Sequence, residues 1–222
     1  MSYVPQYGVQ RDAANSEVSL NYAGTKRVKV NSAGVEFVGT VTLPDGSLSR
    51  ADLPTESAFI DLEAKLLGAD GAALAAAETA GDFFRPVGTN QLWIQGEASI
   101  SETEVSVGYL SFVLPENYVA GGTITLRAVV DVTGSGTLGT CTVDFEAYLQ
   151  TDATGAVGSD LVTTAATAVS ATGAAKDFVV TPTGLVAGDK LIVKLTTSIA
   201  ESAGSAIQAI ITKLGAVIQV KG

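Results

Sequence analysis

Residues 139–148 read Gly-Thr-Cys-Thr-Val-Asp-Phe-Glu-Ala-Tyr, and every second residue from Cys141 to Ala147 is apolar. A period of two predicts a β-strand with one buried face, here Cys141, Val143, Phe145 and Ala147. Cys141 is the single cysteine, so no intrachain disulfide can form. The chain has no histidine to activate a thiol, and we therefore expect Cys141 to be a buried apolar residue.

The same alternation recurs through the second half of the chain. In residues 190–198, Leu191, Val193 and Leu195 alternate with mostly polar neighbours. Further strand candidates lie at 92–95, 105–113, 123–132, 140–150, 178–181, 206–214 and 216–220. About eight short strands without an intervening long helix predict a two-sheet β-sandwich over residues 86–222. The small-residue stretch 151–175 is either a long hairpin or a surface loop.

Near the start, Val18-Ser-Leu-Asn-Tyr-Ala-Gly24 is echoed by Val28-Lys-Val-Asn-Ser-Ala-Gly34. Each copy predicts a short strand closed by a turn, and strands with so few apolar residues cannot enclose a core within one chain. We therefore predict that residues 1–50 form an arm followed by one third of an intertwined, trimeric β region that anchors the protein. The predicted trimer interface consists of Val18, Leu20, Val28, Val30, Val35, Phe37, Val41 and Leu43.

Residues 51–85 change in character and predict a short helical, Ala-rich linker. Thr55 can cap a helix on which Phe59, Leu62 and Leu66 recur at helical spacing. The following segment, residues 70–81, is either a second helix or a loose linker. The fold class is therefore predicted to be all-β, with a short helical linker between the N-terminal β region and the sandwich.

Composition limits the function classes. The net charge of −10 disfavours binding to nucleic acid or to an anionic membrane. No apolar run reaches the ~18 residues that cross a bilayer, and the first residues lack the layout of a signal peptide. Without histidine or clustered cysteine, a zinc site or a Ser–His type of catalysis is not expected. We expect a non-enzymatic protein with no catalytic residue, metal or cofactor.

Three acidic or Gly-rich motifs have ordinary structural interpretations. Glu102 and Glu104 are expected to lie on a solvated strand face. The segment 152–160 lacks the dense acids of a calcium loop and is interpreted as a polar turn. The glycines in 133–139 precede neither a Lys-Ser/Thr pair nor a helix, so they indicate a hairpin loop rather than a phosphate site.

Two sets of residues are candidates for binding. Lys26, Arg27 and Lys29 form a basic cluster that is either an exposed strand face or, with Tyr3 and Tyr7 of the arm, a docking patch for an acidic partner surface. The aromatic residues that can stack on a sugar ring are Trp93, Tyr109, Tyr118 and Tyr148, and Trp93 and Tyr118 are the predicted ligand contacts. Trp93 can equally belong to the core.

Residues 18–43 resemble a short repeat of tailed-bacteriophage virion proteins, with the pattern Leu-x-Tyr-x-Gly-x-Lys-Lys/Arg, Gly-Val, x-Gly-Thr-Leu. That resemblance implies an N-terminal stalk or anchor woven by three chains. Three later stretches, 112–118 (Phe-Val-Leu-Pro-Glu-Asn-Tyr), 121–126 (Gly-Gly-Thr-Ile-Thr-Leu) and 186–195 (Val-Ala-Gly-Asp-Lys-Leu-Ile-Val-Lys-Leu), are similar to jelly-roll domains of phage virion proteins. The resemblance implies a C-terminal jelly roll.

These observations predict a homotrimeric capsid decoration, or cement, protein of a bacteriophage. It would be made in the host cytoplasm, dock on the major capsid protein or another virion protein, and reside on the surface of the virion head. Added contacts across capsomer boundaries would stabilise the shell by mass action. The alternative is a short tail fibre or spike whose jelly-roll tip binds a host glycan or receptor.

Overall fold

The computed structural model describes residues 7–12, 17–22, 25–31, 34–37, 53–86, 93–150, 158–170 and 172–221. The chain divides into two compact units, residues 1–49 and 50–222. In the first unit, only the strands and their pairing are described.

The first unit contains a four-stranded antiparallel sheet in the order β1-β2-β3-β4. Its strands are β1 (Tyr7–Asp12), β2 (Glu17–Tyr22), β3 (Thr25–Asn31) and β4 (Gly34–Phe37). The two echoed stretches form β2 and β3, as predicted. The predicted arm differs from the structure, because Tyr7 begins a strand that pairs along the whole of β2.

The strand register separates the residues of this sheet into two faces. Leu20 lies opposite Val28, and Val28 lies opposite Phe37. Since directly opposed residues and alternate residues share a face, six of the predicted interface residues lie on one face. They are Val18, Leu20, Val28, Val30, Val35 and Phe37. Val41 and Leu43 lie outside the described residues, and the joining of three chains stays a prediction.

The second unit is a β-sandwich of two antiparallel sheets. Sheet I has the order β12-β9-β14-β5, and β7 also pairs with β14. Its strands are β5 (Thr55–Asp61), β7 (Ile94–Gln95), β9 (Ile124–Gly134), β12 (Ala174–Val180) and β14 (Ile207–Lys221). Sheet II has the order β11-β10-β13-β8-β6, and its strands are β6 (Leu67–Gly68), β8 (Thr103–Val113), β10 (Leu138–Gln150), β11 (Thr167–Ala168) and β13 (Lys190–Glu201). The predicted all-β sandwich is confirmed.

The strand pairs of the sandwich are nested along the chain. The strand β5 pairs with β14, β8 with β13, β9 with β12, and β10 with β11, and each pair is antiparallel. This arrangement is a jelly roll, in which a long paired ribbon wraps around one core.

Alternate residues of both sheets fill that core, as the period-two pattern predicts. Cys141, Val143, Phe145 and Ala147 are each at most 2% exposed, which confirms the predicted inner face of β10. Burial raises the pKa of the Cys141 thiol to about 11, so the thiol stays protonated and unreactive at neutral pH. Phe145 of sheet II packs edge-to-face on Phe178 of sheet I, with ring centroids 5.0 Å apart.

The helix predicted from Thr55 is wrong. Residues 55–61 form β5, and the only helical turn among the described residues is a 3-10 turn at Glu63–Lys65. The edge of β14 offers backbone partners over seven residues, and this tertiary pairing outweighs a helical spacing of apolar residues. Leu62 and Leu66 reach the core from either side of the turn. The segment predicted as a linker therefore belongs to the sandwich unit.

Two strands predicted on either side of Gly215 are one strand, β14. The register shifts once between Ile211 and Lys213, but pairing to β9 continues past Gly215. The Phe59 ring of β5 covers Gly215 so closely that a Cβ there would lie 2.2 Å from Phe59 Cζ. The glycine thus gives space to an aromatic ring rather than ending the strand.

No helix in the described ranges is long and apolar enough to cross a membrane.

Candidate functional site

The outer surface of sheet II carries an ordered set of aromatic and polar side chains. Along β8, β10 and β13, buried residues alternate with half-buried ones that point away from the core. The strand register places the half-buried residues in rows. One row runs Tyr109–Lys194–Glu146, and the next runs Ser111–Ile192–Tyr148. These six residues are called the tyrosine face below.

Glu146 joins two of its neighbours on the tyrosine face. Lys194 Nζ donates to Glu146 Oε1 at 2.9 Å, and the Tyr148 hydroxyl donates to Glu146 Oε2. The hydrogen bonds from Tyr148 and then Lys194 lower the pKa of the Glu146 carboxyl. The hydrogen bond between Tyr148 and Glu146 also raises the pKa of the Tyr148 hydroxyl to about 12. Glu146 is therefore ionised at neutral pH and is a poor proton donor, whereas the trio holds the Tyr148 ring in a fixed orientation.

Asp144 extends the polar surface by one row towards the start of β10, where it lies opposite Thr196. Burial, and then the charges of Glu146 and Asp160, raise the pKa of its carboxyl. Asp160 is itself engaged, because its Oδ1 accepts hydrogen bonds from the backbone N–H groups of Ala147 and Val162, both at 2.9 Å. This end of sheet II is thus acidic.

An open groove with a volume of about 210 Å³ crosses the other end of sheet II. Its lining comes from four neighbouring strands, with Leu67 on β6, Tyr109 and Ser111 on β8, Lys190 on β13 and Gln150 on β10. Enclosed ligand pockets have volumes of roughly 300–1,000 Å³. Because this groove is smaller and open, it can contact one side of an extended ligand but cannot enclose one.

The two predicted ligand contacts are not part of this surface. Tyr118 is only 6% exposed and its hydroxyl donates to the Gly122 carbonyl at 2.8 Å, so its predicted role as a ligand contact is corrected to a core role. Trp93 is half-buried just before β7, which pairs with sheet I. Its Nε1 is buried and has no hydrogen-bond partner among the described residues.

The basic cluster falls on β3 of the first unit, and only its register is described. Lys29 lies opposite Ser19 and Glu36, on the face opposite to that of Val28 and Val30. Lys26 lies opposite Asn21, and Arg27 falls in the bulge between Lys26 and Val28. Tyr3 lies outside the described residues, and docking on a capsid stays a prediction.

The described acidic residues do not assemble into a metal site. Within the ranges given above, no group of three or more His, Cys, Asp or Glu side chains is arranged to hold an ion. Glu104 of the predicted solvated pair has a raised pKa, caused by burial and then by the charges of Glu97 and Glu102.

Sequence reasoning named Tyr109 and Tyr148 as stacking candidates but missed the residues around them. Glu146, Lys194 and Gln150 are ordinary polar residues at alternate strand positions. The pairing of β10 with β13 and of β13 with β8 brings them beside the tyrosines. The alternation predicts which residues point outward, whereas the order of strands in the sheet decides which of them become neighbours.

Comparisons with known proteins found no matching family model and no matching curated protein. Among solved structures, TmCBM61 in complex with β-1,4-galactotriose has a TM-score of 0.29 at 12% identity, over 76% of this chain and 89% of that chain. The CBM22-1 xylan-binding domain from Paenibacillus barcinonensis Xyn10C has a TM-score of 0.30 at 16% identity, over 66% and 99%. A structure from a study of carbohydrate-binding modules of the β-sandwich superfamily has a TM-score of 0.32 at 10% identity, over 97% and 75%. Because all three TM-scores are near 0.3, no residue role or ligand is transferred to this chain.

Proposed function

We propose that the sandwich is a non-catalytic glycan-binding module and that the glycan lies along the tyrosine face, as at the tip of a short phage fibre or spike. The observation that carries this proposal is the pair of half-buried tyrosines on the outer side of sheet II, set among hydrogen-bonded polar side chains. Aromatic rings offer flat apolar area with a polar tip, and neighbouring polar groups fix the orientation of a ligand.

The spacing of the tyrosines favours an oligosaccharide. Tyr109 and Tyr148 lie on strands separated by β13 and are offset by one row. From ordinary strand spacing and rise, their Cα atoms are about 12 Å apart. A ligand that touches both rings is therefore longer than one sugar ring.

The side chains of the tyrosine face also hold one another in place. Glu146 holds both Tyr148 and Lys194 through hydrogen bonds. Side chains that are already fixed lose less conformational entropy on binding, which raises affinity.

A glycan array followed by calorimetry on the strongest hit tests this function. Tyr109→Ala and Tyr148→Ala are each expected to weaken binding about tenfold or more, because each removes one ring from the contact surface. The matched control is Phe59→Ala, which removes an aromatic ring that is 45% exposed on sheet I and is expected to leave affinity unchanged. Absence of glycan binding, or tyrosine variants that bind like the parent, would contradict the proposal.

We propose the predicted homotrimeric capsid decoration protein as a second candidate function. It is favoured by the six apolar residues that share one face of the N-terminal sheet, since such a face is stabilised when other copies cover it. Docking on the major capsid protein or another virion protein would then use the other face or the arm.

Sedimentation and immunogold labelling test this second candidate. The parent protein is expected to sediment as a trimer, Val28→Asp to dissociate it, and Lys29→Asp, on the opposite face of β3, to leave it intact. Decoration predicts gold label over the whole shell of intact virions, whereas a fibre predicts label at one vertex. A monomeric parent protein at micromolar concentration would exclude the trimer.

A further inference from the structure

Lys190 places a positive charge at the groove of sheet II. It is half-buried at the start of β13, opposite Gln150 on one side and Val113 on the other. Of the cations facing outward on the two sheets, Lys194 pairs with Glu146 at 2.9 Å and Arg127 pairs with Asp177 at 2.6 Å. Among the described residues, no carboxylate lies within 4.0 Å of the Lys190 ammonium, and the neighbouring Asp189 carboxylate accepts from the backbone of Val186 instead.

Gln150 lies beside this charge and lines the same groove. Its Oε1 is buried and has no hydrogen-bond partner in the described part of the chain. Because this oxygen has no exposed surface, a ligand contacts Gln150 only through the rest of its side chain. Lys190 and Gln150 line the same groove as Tyr109 and Ser111.

We infer that the ligand of this groove is an acidic glycan whose sugar carboxylate pairs with Lys190, beside the Gln150 and Ser111 side chains that also line the groove. This inference rests on the proposed glycan-binding function and names the chemical class of its ligand. Tyr109 contributes the apolar surface beside the charged contact. Because ion pairs that are partly shielded from water are stronger than fully exposed ones, a half-buried lysine discriminates well between an acid and its neutral analogue.

The charge distribution also sets the direction of the ligand. Glu146 lies opposite Lys194, which is four residues after Lys190 on β13. At the usual rise per residue, Glu146 and Lys190 are therefore about 14 Å apart along the strands. Asp144 lies further in the same direction. The sugar carboxylate therefore lies at the Lys190 end, away from the acidic end of sheet II. The net charge of −10 repels an acidic ligand, but this repulsion is screened beyond about 8 Å at physiological ionic strength.

Calorimetry with two matched pairs of probes tests the inference on the full chain. The probes are tetragalacturonate and its methyl ester, and 3′-sialyllactose and its methyl ester, so that within each pair esterification removes the carboxylate charge while the sugar sequence is kept. We expect the acid of one pair to bind about tenfold more tightly than its ester. Which pair responds distinguishes a uronic acid from a sialic acid.

Three variants assign the effect to Lys190. Lys190→Gln is expected to remove the preference for the acid, and Lys190→Arg to keep it. Lys213→Gln, which removes the same charge from an exposed position on sheet I, is expected to keep it as well. Equal thermal melts would show that all three variants are folded.

The remaining outcomes separate this inference from the proposed function. If acid and ester bind equally and Tyr109→Ala still weakens both, the acidic class is wrong and glycan binding stands. If the acid is preferred but Lys190→Gln does not change the preference, the assignment to Lys190 is wrong. If neither these probes nor any glycan on an array binds, both the acidic ligand class and the proposed glycan-binding function are wrong.

Discussion

Phe178→Ala is expected to lower the free energy of unfolding of the sandwich by about 3–5 kcal/mol, the usual cost of removing a buried phenylalanine. Phe178 is fully buried on β12 of sheet I and meets Phe145 of sheet II edge-to-face, with an interplanar angle of 62°. Its removal leaves a cavity where the two sheets touch. For a unit of this size the melting temperature should fall by roughly 6–20 °C, which differential scanning calorimetry measures.

The neighbouring residue on the same strand is the control. Val179 is 50% exposed and points away from the core, so Val179→Ala should change stability by less than about 0.5 kcal/mol. A double-mutant cycle of Phe145→Leu and Phe178→Leu should give a coupling of about 0.5–1.5 kcal/mol for the ring pair. A loss below about 1 kcal/mol in Phe178→Ala would show that the sheets do not pack through this ring.

Gly134→Ala is expected to destabilise the sandwich by about 2–5 kcal/mol, because a left-handed backbone and a backbone clash add together. Gly134 ends β9 at a φ of +126° and lies opposite Ile207. A Cβ there would lie 2.2 Å from the Ala206 carbonyl oxygen and 2.8 Å from Ile207 Cα. Backbone atoms cannot rotate away as a flexible side chain can, so the pairing of β9 with β14 must shift. Urea unfolding measures the loss.

Gly121→Ala separates the two causes. Gly121 also has a positive φ, +73°, but a Cβ there would meet nothing within 4 Å. This variant should therefore lose only the conformational part, about 1–2 kcal/mol. If the two variants were equally stable, the predicted clash at Gly134 would not exist.

The long strands of the sandwich could be predicted from the sequence because each carries its own signal. The inward residues are apolar at four successive alternate positions in β10 and at three in β13, and this pattern needs no knowledge of neighbours. In β5, by contrast, the residues are mostly exposed and its strand form comes from pairing with β14. A helical spacing of Phe59, Leu62 and Leu66 therefore misled the prediction.

The candidate site was predictable only in part, for a related reason. Tyr109 and Tyr148 are aromatic residues at outward positions, which a period-two pattern identifies. Lys190 and Gln150 become neighbours only through the register of β13 with β10, and residues 150 and 190 are far apart in sequence. Tyr118 also has aromatic chemistry, but its hydroxyl bond to Gly122 and its burial place it in the core.

The nesting of strand pairs has a consequence for how the sandwich is made. Thr55 lies opposite Lys221, so β5 leaves the ribosome long before its partner β14 is synthesised. Until β14 is made, sheet I lacks the strand that joins β5 to β9, and its inner apolar residues are not fully covered. The strand edges that β14 will later pair with are open to other nascent chains. High contact order of this kind slows folding. A chaperone that holds the nascent chain until its last strand emerges should therefore raise the yield of native protein more than one that acts after release.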